Sequence, residues 1–356
     1  MICVGLFSLH INFSVQRKNL LFFIPSRGGG TLSIAHLFMR IVMSRNYGIG
    51  HRDIYVAGKA FLKQSLHRKE ISGASFGTLA QRWSKFARYI KYNTANGVGR
   101  LERITRESVI EYGKHLADKV DAEEITAGYA QNLVSAINSV MKNTPTDWKP
   151  VGPVKDCHLP KRSNVRTTVP GGMDRLAYEN ARTALRESGN TAGEAVAGLA
   201  RELGLRSEEA SLLDARKSLA EADRAGKVTV TLGTKGGRLR EVPITTTKQV
   251  DALRGAAAAQ GQRRSLMPTD ATWKTWREGG LRKIRETVQQ HTGGGLHDLR
   301  AAYACDRYKA LTGHDAPVIA GRIVDRAADL AARQQIAREL GHGRIGVVSS
   351  YVGGRS

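Results

Sequence analysis

Six residues in the second half of the chain have types suited to phosphate chemistry, and they occur in the order Arg206, Lys235, His297, Arg300, His342, Tyr351. In ELGLRSEEASLL, Arg206 stands just before an expected helix start. There a guanidinium and the free backbone N–H groups together suit a phosphate. Glu209, one turn on, either holds Arg206 in place or simply favours the helix N-terminus electrostatically. Lys235 lies in GTKGG. A turn lysine is ordinarily solvated, but a flexible ammonium can also reach a leaving oxygen and donate a proton. GLHDLRAAYA sets His297 and Arg300 three residues apart, on one face of a helix. An imidazole and a bidentate guanidinium converging on one phosphate stabilise the extra charge of its transition state. ELGHGRIGVVSSY supplies His342, flanked by glycines that let the backbone turn sharply, with Tyr351 nine residues later. Taken singly, each of these reads as an ordinary surface or packing residue, and it is the ordered set that carries weight.

These residues need a scaffold. A helical stretch is expected over 172–202, then a turn at Gly204 and a further helix from near Ser207. KVTVTLGTKGGRLREVPI (227–244) alternates and turns at Lys235-Gly236-Gly237, the pattern of a two-stranded hairpin. Beyond it the pattern is mostly helical. Ahead of this half, residues 53–145 read as a helical domain. Its clearest helix is Phe76 to Tyr92, with Leu79, Trp83, Phe86, Ala87 and Ile90 on one face. Arg82, Lys85, Arg88 and Lys91 form a basic ridge on the other face, a solvated surface or a set of phosphate contacts. Thr105 and Thr126 are expected N-caps. Val109, Ile110 and Leu116 point inward after the first, and Ala130, Leu133, Val134, Ile137, Val140 and Met141 after the second. Residues 146–164, within and after the proline-rich NTPTDWKPVGP, read as an interdomain linker. Residues 1–52 contain no Asp or Glu and read as a basic, poorly structured segment. Met39 and Met43 offer later starts within it.

Composition narrows the class of partner. The balance of 55 Lys+Arg against 32 Asp+Glu gives a formal net charge of +23, a self-repulsion that a polyanion such as nucleic acid relieves. Cys3, Cys157 and Cys305 lie far apart, so neither a zinc ribbon nor a disulfide framework is expected, and isolated thiols suit a reducing cytosol. The apolar run Leu20 to Ile24 is far too short to span a bilayer. No P-loop occurs, nor a carboxylate cluster suited to Mg²⁺.

With Arg, Lys, His-x-x-Arg, Gly-His and Tyr in this order, residues 165–356 resemble the catalytic domain of the tyrosine recombinases, or phage integrase family. The helical region before them matches the position of that family's core-binding, DNA-binding domain. The resemblance implies a mainly α fold with a small β-hairpin: a helical core-binding domain followed by an α+β catalytic domain. It implies that Arg206 and Arg300 clamp the scissile phosphate, that His297 and His342 hydrogen-bond to it, and that Lys235 protonates the leaving 5′ oxygen. Tyr351 would attack phosphorus and become a 3′-phosphotyrosine. Two arginines and two imidazoles neutralise the phosphate without a metal, and the covalent intermediate preserves the bond energy, so no cofactor is expected. The implied partners are double-stranded DNA, a homotetramer assembled on it, and accessory DNA-bending or directionality factors, with no membrane. The implied setting is a bacterial cytoplasm, at the nucleoid. Two departures from the family pattern stand out. The interval from Arg300 to His342 is long, as if a helix were inserted around GHDAPVIAGRIVDRAADLAARQQ. Only Val352 to Ser356 follow Tyr351, which puts in doubt the tail contact that many members make with a neighbouring subunit.

The leading expectation is a site-specific recombinase or integrase of a mobile element. A type IB topoisomerase uses a similar residue set, and a catalytically inactive DNA-binding protein is the alternative from another class. On the first expectation, affinity for duplex DNA should fall steeply with salt, by on the order of 10³–10⁵-fold between 50 and 200 mM for a protein making six to ten phosphate contacts. A binding titration at several salt concentrations checks this, and a flat response would give the basic ridge another purpose.

Overall fold

The computed structural model describes residues 45–93 and 97–354, so the expectations for residues 1–44 lie outside it. The chain divides into two units, the first ending at Arg162 and the second running Ser163–Ser356.

The first unit is built on four helices, α1 (Ile54–His67), α2 (Gly73–Tyr92), α3 (Arg106–Asp121) and α4 (Ala127–Met141). Each starts where a short polar side chain accepts a hydrogen bond from an otherwise unpaired N–H of the first turn: Asp53, Ser72, Thr105 and Thr126. Trp83, Phe86 and Ile90 of α2 form its centre with Phe61, Leu62, Val109, Leu133 and Ile137, while Leu79 and Ile110 are only half-buried. Tyr112, which the sequence reading passed over, is in the core against Phe86. The indole of Trp83 packs closely against Gly58 and donates to the Tyr55 carbonyl at 3.1 Å.

Two expected boundaries shift. Residues 45–52 are not loose. Asn46 and Tyr47 are buried, the Asn46 amide donates to the His51 carbonyl (2.7 Å), and its Oδ1 accepts from the Leu101 N–H (2.9 Å). Most of the expected linker also belongs to the first unit. Val151, Cys157 and Leu159 are buried, and Asn138 holds the Val151 backbone through both of its amide atoms. The prolines there shape a strap anchored by these buried residues, and the longest continuously exposed run is residues 160–165.

The second unit holds α5 (Arg175–Glu187), α6 (Thr191–Glu202), α7 (Ser207–Leu212) and α8 (Ala215–Ala225). The hairpin of β1 (Lys227–Val230) and β2 (Arg240–Pro243) follows, then α9 (Thr247–Gln260), α10 (Trp273–Glu278), α11 (Gly280–Thr292), α12 (Leu296–Thr312), α13 (Pro317–Ala320), α14 (Arg326–Glu339) and α15 (Ser349–Val352). The helical stretch expected over 172–202 consists of two helices. The chain turns at Gly189 (φ +74°), and the side chain of Asn190 caps the second helix. The strands pair antiparallel, Val228 opposite Val242 and Val230 opposite Arg240, with Lys235 on the loop between them.

α12 is buried almost all round, with Leu299, Ala301, Ala302, Ala304 and Cys305 in the core, so its position is over-determined by packing. α14 packs against it through Ala332, Ile336 and Ala337 and ends at Leu340, just before Gly341-His342. The apparent insertion therefore contains the helix that delivers His342.

A Cβ added at Gly58 would stand 2.3 Å from the Trp83 ring. Gly58→Ala should therefore destabilise the first unit by about 1–3 kcal/mol through overpacking. Urea unfolding of the variant against the parent checks this, and an unchanged midpoint would mean that α1 can move off the indole.

Candidate active site

Glu209 organises the site. It is the third residue of α7, it is fully buried, and it accepts the backbone N–H of Arg206 at 2.7 Å, pairing one otherwise free donor at the helix start. Its carboxylate also takes three guanidinium groups. Arg206 Nη1 is 2.6 Å away, Arg240 Nη2 is 2.6 Å away, and Arg300 Nη1 is 3.4 Å away. Burial alone would raise the Glu209 carboxyl, but the charges of Arg240 and Arg300 and the Arg206 amide outweigh it, and the group lies below its ordinary value. It is ionised at neutral pH.

The same arginines satisfy the end of α14, where helix carbonyls lack partners and carry the negative pole of the dipole. Arg300 Nη2 donates to the Leu340 carbonyl at 2.6 Å, and Arg206 Nη2 donates to it at 3.3 Å. Arg240 Nη1 donates to the Glu339 carbonyl. Arg300 also donates to the carbonyl of Gly204, a residue at φ +62° whose missing side chain makes room for the Tyr303 ring. The arginines thus join α7, β2, α12 and α14.

Tyr351 points into this cluster from α15 and is buried. Its Oη lies 3.1 Å from His342 Nε2 and accepts from Arg300 Nε at 3.4 Å. The His297 ring lies 5.3 Å from the Tyr351 ring, centre to centre. Five of the six expected residues, with Glu209, are therefore brought together from four separate segments. Lys235 is not. It is exposed on the hairpin loop and, among the described residues, makes no hydrogen bond or ion pair.

The residue that sequence reasoning missed is Arg240. A signal was present, because the hairpin register turns Arg240 inward with Val242 while Glu241 faces out, and a charge in the inward register implies a buried partner.

On the first unit, Lys85, Arg88 and Lys91 are exposed along α2 and Arg82 is half-buried. Lys91 lies 3.6 Å from Asp53, an acidic neighbour that the α2 sequence alone does not reveal. Lys85 and Arg88 border a groove with Lys119 and with His115, which stacks on Tyr89.

Burial, and then the charges of Arg300, Arg206 and Arg240, push His342 down to about 3. Burial, and then Arg300, Arg166 and Arg206, likewise hold His297 below its ordinary value, with Asp298 opposing. Arg300, lowered to about 10 mainly by burial, stays charged at neutral pH. In the unfolded chain His342 protonates near pH 6.5, whereas in the fold it resists. Stability contributed by neutral His342 is thus fully present above about pH 6.5 and is lost as pH falls toward the folded value. Thermal melts should show the parent losing stability faster than His342→Gln between about pH 6.5 and pH 4. Parallel curves would mean that His342 is solvated and titrates normally.

Residues 165–306 match the sequence profile of the integrase family, whose description is Integrase. The matched stretch contains Arg206, Glu209, Lys235, Arg240, His297 and Arg300, and His342 and Tyr351 follow it. No curated protein matches the chain. Among solved structures, a lambda integrase dimer bound to a COC′ core site aligns over 82% of this chain and 94% of its own, at 14% identity and a TM-score of 0.52. The Tn1549 transposon integrase in complex with transposon right-end DNA aligns over 84% and 95%, at 11% identity and a TM-score of 0.50. The XerH site-specific recombinase bound to a palindromic difH substrate aligns over 83% and 80%, at 16% identity and a TM-score of 0.50. At these identities the three share the fold, mainly helical with a small two-stranded sheet, and the profile match makes residues 165–306 similar to the integrase family.

Proposed function

We propose that this protein is a site-specific recombinase that cleaves and rejoins double-stranded DNA through Tyr351, in the integration or excision of a mobile element. The observation that carries this reading is the placement of Tyr351 Oη against Arg300 and His342, inside a cluster where three guanidinium groups face one carboxylate. That surplus of buried positive charge calls for an anion. A phosphodiester is an anion that a phenol can attack.

In this reading Arg206 and Arg300 hold the non-bridging oxygens of the scissile phosphate, with His297 adding a hydrogen bond. Tyr351 Oη forms the new bond to phosphorus as the bond to the 5′ oxygen breaks, leaving a 3′-phosphotyrosine and a free 5′ hydroxyl. The phenolic proton passes to neutral His342, 3.1 Å away, and the incoming phosphate's negative charge favours the imidazolium that results. Lys235 gives the 5′ oxygen its proton. Because Lys235 rides on an exposed loop, this role requires the loop to reach the site when DNA binds. Rejoining reverses the step with a 5′ hydroxyl as nucleophile and needs no cofactor.

The basic face of α2, with Arg82, Lys85, Arg88 and Lys91, is assigned to phosphate contacts along the duplex. Crossing two duplexes requires more than one tyrosine, so the working assembly in this proposal is a homotetramer on DNA, with accessory DNA-bending or directionality factors. We place it in a bacterial cytoplasm, at the nucleoid. Among the described residues no helix is long and apolar enough to cross a membrane.

A nicked suicide duplex carrying the attachment site tests this. The parent protein should form a covalent adduct on a denaturing gel, and Tyr351→Phe should form none. Arg300→Ala should also form none, and it should melt lower. Removing its guanidinium strips donors from two buried carbonyls, a loss of roughly 1–3 kcal/mol. Tight binding without any adduct would leave a DNA-binding protein. An adduct that relaxes supercoils but never yields a Holliday junction would mark a topoisomerase.

A further inference from the structure

α15, which carries Tyr351, has four residues. A helix that short has no stability of its own, so the position of the nucleophile is set by what grips the chain on either side of it. The apolar anchors are Val348 and Val352, both fully buried. The Cys305 thiol on α12 reaches the Tyr351 carbonyl at 3.7 Å, and the main polar anchor on the flanks is one side chain. Arg333 of α14 is completely buried, and it spans the nucleophile. Its Nη1 donates to Ser349 Oγ (3.1 Å), two residues before Tyr351, and to the Gly353 carbonyl (3.1 Å), two residues after. Its Nη2 donates to the Gly354 carbonyl at 2.7 Å.

Arg333 is itself held. Its Nε donates to Asp329 Oδ1 at 2.7 Å, one turn back on α14, and the same carboxylate oxygen accepts from Tyr308 Oη at 3.0 Å. Tyr308 sits on α12, the helix that supplies His297 and Arg300. Side-chain bonds therefore run from α12 through Asp329 and Arg333 to both flanks of Tyr351. From the opposite side the Arg166 N–H donates to the Ser349 carbonyl at 2.9 Å. Only a guanidinium, with five donors in a rigid fork, can serve a carboxylate and three further acceptors at once.

We propose that Arg333, fixed by Asp329, is a positioning residue that clamps the Tyr351 segment into its own protomer's site. The proposal rests on Tyr351 being the nucleophile. It assigns a task to the helix that the sequence reading left as an unexplained insertion. Arg333 does not touch the reacting atoms. Its effect is on the probability that Oη stands in line with phosphorus, and a misplacement of about 1 Å lowers such a rate by roughly 100-fold.

The test uses the full chain labelled with 3-fluorotyrosine, in which the Tyr351 signal is identified by its loss in Tyr351→Phe. Arg333→Met alone would leave the Asp329 carboxylate uncompensated, so it is paired with Asp329→Asn, which removes both charges. In the double variant the Tyr351 fluorine signal should move to the solvent-exposed position, and Tyr308, which bonds to residue 329, should shift locally, while the remaining tyrosines stay in place. DNA affinity should be retained, and single-turnover adduct formation on the suicide duplex should fall by roughly 100-fold. An unmoved Tyr351 signal, or an adduct rate equal to the parent's, would overturn the clamp. So would a collapse of all tyrosine signals together, which would make Arg333 a general core support. Should the parent form no adduct, the nucleophile reading fails by itself, and the fluorine spectrum still decides whether Arg333 holds the segment.

Discussion

The site depends on one carboxylate. Three guanidinium groups cannot share a buried space without an anion, because each loses its hydration and repels the others. Glu209 supplies that anion from the first turn of α7, where the free N–H groups and the dipole already favour negative charge. Its three partners come from the start of α7, from β2 and from α12, and they go on to satisfy carbonyls at the end of α14. The interaction that gathers these charges is therefore also a joint between four elements. The balance is deliberately incomplete: one negative charge against three positive ones leaves a net attraction for an incoming anion.

The remaining parts follow from packing. α12 is surrounded by core on nearly every side, so His297 and Arg300 inherit the rigidity of the interior rather than of a surface helix. α14 returns along α12 and brings His342 to the rim. The Tyr351 segment cannot be rigid by itself and is pinned from outside. Arg300 and Tyr351 are therefore held in the interior, whereas Lys235 stands on an exposed loop. In the proposed reading the site gains from that difference, since the groups that bind charge are in place before the group that donates the last proton arrives.

Much of this was legible in the sequence, and the reasons differ by residue. The helices of the first unit announced themselves because their apolar stripe and their Thr caps are local signals, and Trp83, Phe86, Ile90, Leu133 and Ile137 are buried as their spacing requires. The order of Arg206, His297, Arg300, His342 and Tyr351 identified a set that the fold does assemble. Arg240 was missed because inwardness on a four-residue strand is set by its partner's register. Arg333 was missed because it lies on a helix whose interior looks polar, and Arg333, Asp329 and Glu339 are buried there only because each meets a partner from elsewhere in the chain. The linker expectation failed for a related reason: prolines mark an irregular path, not an exposed one, and Asn138 supplies the hydrogen bonds that let the path be buried.

The charge state of the free site follows from the same surplus. The arginines that attract an anion also disfavour a proton on either histidine, so His297 and His342 stand neutral beside a buried phenol. A neutral imidazole flanked by guanidinium groups is a poor base until a negative charge arrives. In the proposed reading a phosphodiester between Arg206 and Arg300 would cancel the repulsion that keeps His342 unprotonated, and the imidazole would then be able to accept the phenolic proton. In this account the substrate's own charge switches on the base that serves the nucleophile. The same coupling gives the surplus of positive charge two functions from one arrangement, attraction of the phosphate and restraint of Tyr351 until it is bound.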